Sequence, residues 1–161
     1  MRSNDLTPLD RRIIEILQRE GRMTYAQIGT LAGVSSTAAH ERIKKLEARG
    51  VITGYRATVD PAKVGAEVTA FIFVSQSAGP RGLLEEVFDQ MPAVEECHRI
   101  AGEETLLIKV RAPSMEALDD VVWEIRELEA VERTRTVVVL ATVFEDRPVN
   151  AGSGETDQSA R

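Results

Sequence analysis

The residues best equipped to do chemistry lie between Ser35 and Lys45. On a helical wheel advancing about 100° per residue, Ala39, Ile43 and Leu46 fall within about 60° of one another, a narrow apolar stripe. The opposite side carries Thr37, Glu41, Lys44 and Ala48, with Ala38 and Lys45 beside them. Small and polar groups at the start of such a helix, Ser35, Ser36, Thr37 and Ala38, can reach base edges in a DNA major groove, while lysines further along meet phosphates. His40 and Arg42 lie on the two flanks, where a groove-bound helix meets the backbones. Arg42 fits either a phosphate or a structural ion pair. A solvated helix face is the competing reading of the same charge run. Arg22, Arg49 and Arg56 flank the segment as further candidates for backbone contact, and Thr24 and Tyr25, at the start of the helix before it, are candidates for DNA contact as well.

Groups for catalysis are scarce. The two histidines, His40 and His98, fall in different expected domains. Cys97 and His98 are adjacent on an expected strand, so their side chains point to opposite faces and cannot form a nucleophile–base pair directly. Glu96 and His98 share a face and could begin a metal site, but the sequence offers no third ligand. Gly79-Pro80-Arg81-Gly82 lacks the Lys-Ser/Thr ending of a phosphate-binding loop. The expectation is a chain with no catalytic residues, no metal and no cofactor.

The elements that must position these groups follow from capping and periodicity. Thr7-Pro8-Leu9-Asp10 is a helix start, with Leu9, Ile13, Ile16 and Leu17 at helical spacing and Gly21 as the end. Thr24 and Gln27 have capping-box spacing for a short second helix, whose apolar face is Ile28 and Leu31. Gly33 can take the left-handed conformation of a tight turn, and Ser35 can cap the third helix. Two short helices joined by such a turn make a helix-turn-helix. The β-rich run Val51–Val59 predicts a strand acting as a hinge, with Asp60-Pro61 as boundary.

The second half predicts strands at Glu67–Ser75, Val94–Ala101, Thr105–Arg111 and Glu132–Phe144. It also predicts a helix at Arg81–Met91 bearing Leu83, Leu84, Val87, Phe88 and Met91. A further helix, capped by Ser114, bears Met115, Leu118, Val121, Val122, Ile125 and Leu128. The order is βαββαβ, the ferredoxin-like arrangement. The fold class expected is therefore α+β, with an N-terminal winged-helix-like helix-turn-helix domain, a β hinge and a C-terminal ferredoxin-like domain. The corresponding segments are 1–55, 56–65 and 66–146, followed by a disordered tail at 147–161 whose Pro, Gly, Ser and Thr content cannot build a core.

At 161 residues, 43% hydrophobic and 29% charged, the chain can bury a core, and with 4% aromatics that core must be aliphatic. Its net charge of −6 argues against nucleic acid only as an average: residues 1–60 carry +3 and the remainder −9. A single cysteine, an N-terminus without an apolar stretch and no apolar run near the ~20 residues of a membrane helix predict a cytoplasmic protein away from membranes.

The run Arg22–Tyr55, together with Leu9-Asp10, Ile13-Ile14 and Leu17, resembles the DNA-binding module of the leucine-responsive/asparagine-responsive (Lrp/AsnC) regulators. Ser35, Arg42-Ile43-Lys44-Lys45-Leu46-Glu47 and the exit Gly50-Val51-Ile52-Thr53-Gly54-Tyr55 carry the likeness, and the following βαββαβ order extends it over about residues 6–145. The resemblance implies a transcription regulator that binds double-stranded DNA, senses a small effector, typically an amino acid, and forms homodimers through its sheets, commonly four dimers in a ring. It places the effector near the turn between the middle strands, at Ala101, Gly102, Glu103, Glu104 and Thr105, with Thr134 and Thr136 from the last strand. The family pattern has Gly followed three residues later by Asp; here Thr105 stands in the Asp position. A carboxylate there could hold an ammonium group, and an acidic turn in water is the other reading. A different class of function, a small-ligand-binding or assembly module whose N-terminal domain contacts protein rather than DNA, would lack a steep loss of DNA affinity with salt.

Overall fold

The computed structural model describes residues 6–77 and 82–151. Three helices come first: α1 (Pro8–Arg19), α2 (Tyr25–Ala32) and α3 (Ser36–Ala48). Each starts at a side-chain cap that satisfies otherwise orphaned backbone donors. Thr7 and Asp10 form a reciprocal capping box, as do Thr24 and Gln27, and the Ser35 hydroxyl accepts from Ala38 N at 3.1 Å. Gly33 ends α2 at φ 74°, so the turn to α3 is the three residues Gly33, Val34 and Ser35. Ile13, Ile16, Ile28, Ala39, Ile43 and Leu46 close a purely aliphatic core.

The remaining elements are β1 (Val68–Gln76), α4 (Leu83–Asp89), β2 (Val94–Arg99), β3 (Leu106–Ala112), α5 (Met115–Arg126) and β4 (Val131–Val138). The strands form one antiparallel sheet in the order β2-β3-β1-β4, the topology that βαββαβ connectivity gives when both helices cover one face. On that face Ala70, Ile72, Val74, Leu106, Ile108 and Val110 bury against Leu84, Phe88, Leu118 and Ile125. The other face carries Thr69, Phe71, Phe73 and Ser75 from β1, the first three opposite Arg111, Lys109 and Leu107 of β3.

The described residues divide into two compact units. One runs through Ala57 and takes in the residues from Phe144 onward; the other is Thr58–Val143. Within the first, the terminal segment lies on α1: the Gln18 side chain donates to Val149 O at 3.0 Å and accepts from Val149 N at 2.6 Å. Arg11 donates to Ala151 O, and Arg56 pairs with Asp146 at 3.0 Å.

Several expectations are corrected. Residues 51–59 form no strand, and no hairpin accompanies the three helices among the described residues. The composition there is β-rich, but a strand requires a ladder partner, and this chain offers none. The segment instead leads into a 3-10 turn at Pro61–Val64, capped by the Asp60 carboxylate on Ala62 N. The last strand stops at Val138 rather than Phe144, because β1 has no partner to offer beyond the Val139 N to Thr69 O bond. Leu31, Leu83 and Met115 are exposed, not core. α2 buries Ile28 and Gly29, and Leu31 lies about 100° from the centre of that arc. The predicted helix at Arg81–Met91 is α4 from Leu83 onward; Arg81 and most of the Gly79–Gly82 stretch lie outside the described residues. So do residues 152–161 of the segment expected to be a disordered tail.

Candidate DNA interface and effector site

α3 is seated by its apolar stripe, with Ala39, Ile43 and Leu46 at 0%, 1% and 0% exposure. Its outer side is open: Ser36, Thr37, Ala38, Glu41, Lys44 and Lys45 are all exposed. The seat depends on a close backbone approach. A Cβ on Gly29 would lie 2.8 Å from Val34 O and 3.1 Å from the Ser35 carbonyl carbon, so α2 packs against the turn through a position only glycine fits. Val34 N donates back to Gly29 O at 2.9 Å, which pins the turn and hence the start of α3.

The flanking residues have definite partners. Tyr25, at the first position of α2, sets its ring 4.4 Å from that of His40, so these two predicted contacts are brought together on one surface. Thr24 is different. Its hydroxyl donates to Gln27 Oε1 and accepts from Gln27 N, so both capacities are spent on capping α2. Ser35 only accepts, which leaves its hydrogen able to donate. Arg22 is exposed. Arg42 turns toward α1, with Nε 3.5 Å from Oδ1 of the buried Asp10. Sequence reasoning missed Asp10 as a partner because the pair spans 32 positions and two helices. Tyr55 donates to Glu47 at 2.9 Å, tying the exit of the unit to α3, and desolvation followed by that carboxylate pushes its phenol up to about 12.

In the second unit the turn between β2 and β3 carries Ala101, Gly102 and Glu103 in the open, while Glu104 is half-buried. A Cβ on Gly102 would meet nothing within 4 Å. Glu104 accepts from Arg135 at 3.0 Å, and Glu103 pairs more loosely with Arg133 at 3.6 Å. The hydrogen bond from Arg135 holds the Glu104 carboxyl below the usual carboxylate range. The same guanidinium lies 3.9 Å from the centre of the Phe73 ring, a cation–π contact. Arg133 and Arg135 were absent from the expected site, although two cations at i and i+2 of a strand must share one face.

Three expected members do not join this cluster. Thr134 and Thr136 pair with Val74 and Ile72, which puts them on the helix-covered face, opposite Arg133 and Arg135. Thr105 serves the sheet itself. Its hydroxyl donates to Val74 O and accepts from Gln76 N, both at 3.2 Å, holding the turn against the end of β1.

Elsewhere on the sheet, Cys97 pairs with Ile108 and His98 with Leu107, so the two side chains do take opposite faces. His98 Nε2 meets Glu96 Oε2 at 3.1 Å, and burial pushes the Cys97 thiol up, which makes it a weaker nucleophile at neutral pH. Among the described residues no three His, Cys, Asp or Glu side chains could hold one metal ion, and no helix is long and apolar enough to cross a membrane.

A family model for the AsnC-type helix-turn-helix domain matches residues 6–47, and one for the Lrp/AsnC ligand binding domain matches residues 69–149. The chain belongs to the Lrp/AsnC family. It is 36% identical to the HTH-type transcriptional regulator LrpA of Mycobacterium tuberculosis over 88% of this chain and 95% of that protein. It is 32% identical to the leucine-responsive regulatory protein of Escherichia coli over 86% and 87%. Among solved structures, the M. tuberculosis feast or famine regulatory protein complexed with L-methionine is similar over 86% of this chain and 95% of that one, with a TM-score of 0.79 and 35% identity. These Lrp/AsnC relatives are transcription regulators, and their fold is the helix-turn-helix followed by the four-stranded unit described above.

Proposed function

We propose that this chain is a DNA-binding transcription regulator whose hold on double-stranded DNA, or whose assembly, is modulated by an amino acid. The observation that carries the proposal is α3: three buried residues fix it, while Ser36, Thr37, Ala38, Glu41, Lys44 and Lys45 stay open to solvent on the side away from the core. That division is what a recognition helix needs, with small polar groups at its N-terminal end for base edges and cations behind them for phosphates. Residues 1–55 form the DNA-binding part, 56–65 the hinge, and 66–146 the effector-binding and oligomerisation part.

The effector reading rests on charge pairing at the β2–β3 turn. A free amino acid carries an ammonium and a carboxylate, and Glu103–Arg133 with Glu104–Arg135 present both complementary signs within one cluster. Dimer formation through the open sheet face is supported by Phe71, Phe73 and Leu107, half-buried apolar groups that the chain's own helices leave uncovered. Tetramers of dimers follow from the family alone. The test is a gel-shift titration of salt against a duplex from the chain's own upstream region, combined with calorimetry against the twenty amino acids and light scattering. A logarithm of affinity that falls linearly with log salt supports the reading, because bound protein releases condensed counterions. Affinity indifferent to salt, or no binding at all, defeats it.

A further inference from the structure

We infer that Asp10 is a positioning residue for DNA binding: it holds the guanidinium of Arg42 by its inner edge so that the outer nitrogens face a phosphate. The inference rests on the DNA-binding reading of α3 and assigns a role there to a residue in a different helix.

Asp10 is 1% exposed, and its two oxygens are used unequally. Oδ2 accepts from Thr7 N and from the Thr7 hydroxyl, both at 2.8 Å, and so completes the α1 cap. Oδ1 has no hydrogen-bond donor, and the cation facing it is Arg42 Nε at 3.5 Å. A cap needs one oxygen. A second, buried and anionic, is costly unless a positive group compensates it. Arg42 is that group, and it does so from the third helix across the core.

The manner of approach matters more than the pairing. Arginine can meet a carboxylate through its two outer nitrogens or through Nε and one of them. Here Nε faces Asp10, the Arg42 side chain keeps 37% of its surface exposed, and its outer nitrogens have no partner among the described residues. A guanidinium drawn by charge to a buried anion on one edge, without a hydrogen bond there, turns its other edge outward to meet a second anion. Lys44 and Lys45, exposed and without such an anchor, supply charge but no fixed direction. Arg42 lies on the flank of α3, where a groove-bound helix meets the DNA backbone. The pair therefore links the start of α1 to the register of α3 on the duplex.

The experiment measures DNA affinity across a salt series for the full chain and five variants, on the same upstream duplex, with helicity checked by circular dichroism. Arg42→Gln should lower the salt slope by about 0.9 for each recognition helix, the loss of one phosphate contact. Arg42→Lys should keep most of the slope yet bind about tenfold more weakly, since the charge remains and the held fork is gone. Asp10→Asn should weaken binding in the parent but not in the Arg42→Gln background. Thr7→Ala, which removes the cap without touching Arg42, should lower stability and leave the salt slope unchanged. An Arg42→Gln slope equal to the parent's, or an Asp10→Asn loss of equal size in both backgrounds, overturns the inference. If Asp10→Asn does not fold, an Arg42→Gln slope equal to the parent's still overturns the inference, because that side chain is not buried. A parent chain without salt-dependent binding would defeat the DNA-binding reading itself, a different result from an intact slope in Arg42→Gln.

Discussion

Replacing Gly29 with alanine sets two effects of opposite sign against each other. In an exposed helix the change would stabilise by about 1 kcal/mol, because glycine has the more flexible unfolded backbone. At this position the added methyl meets Val34 O at 2.8 Å and the Ser35 carbonyl at 3.1–3.2 Å. All three neighbours are main-chain atoms of a turn already tied down by the Val34 N to Gly29 O bond, so none can swing aside. Overpacking a fitted site costs about 1–3 kcal/mol, and a rigid neighbour places the case at the upper end. The net expectation is a loss of about 2 kcal/mol. With a urea slope of about 2 kcal/mol/M, the unfolding midpoint followed by far-ultraviolet circular dichroism falls by about 1 M. DNA binding should suffer beyond the unfolded fraction, because the displaced turn carries Ser35 and the start of α3. A Gly29→Ala midpoint equal to or above the parent's would refute the claim that the turn is held by close backbone contact.

Further tests follow from the two sites. Lys44→Ala with Lys45→Ala should flatten the salt slope by about 1.8 for each recognition helix, measured by gel shift across sequences. Exchanging Thr37 or Glu41 should change which operator is preferred in a binding-site selection while the salt slope stays put. At Gly102 a Cβ has open space but a strained φ of 155°, and a bulky residue there should abolish the amino-acid response in calorimetry while gel shifts show DNA binding retained. Because Arg135 lowers the Glu104 pKa, their attraction is complete above the ordinary carboxylate range and disappears as pH falls through the lowered value. Carboxyl NMR titration should therefore place Glu104 below an ordinary glutamate, and Arg135→Gln should move it up.

The helices of the first unit were legible because their signals are local. Thr7 with Asp10, Thr24 with Gln27, and Ser35 are caps that act within four residues, and the Ala39–Ile43–Leu46 stripe is fixed by helical geometry alone. The strand order was legible for a related reason, since the alternation of elements admits few topologies. What escaped depends on distant partners. Val51–Val59 has strand composition and no neighbour to pair with; Leu83 and Met115 sit on apolar-looking helices at places the core does not reach. At the effector turn, Glu103 and Glu104 were visible as acids, but nothing in their neighbourhood announces that Arg133 and Arg135 stand across from them. Thr134 and Thr136 were assigned to the same neighbourhood, and one residue of strand alternation puts them on the face opposite Arg133 and Arg135. The Thr105 hydroxyl likewise shows its sheet-binding use only once β1 lies beside it.

The clasp between Gln18 and Val149 ties residues 144–151 into the same compact unit as the three helices, so that unit is built from two separate stretches of chain. A fragment stopping at Ala57 would be missing a piece of its own architecture, with Gln18 and Arg11 deprived of the backbone they grip.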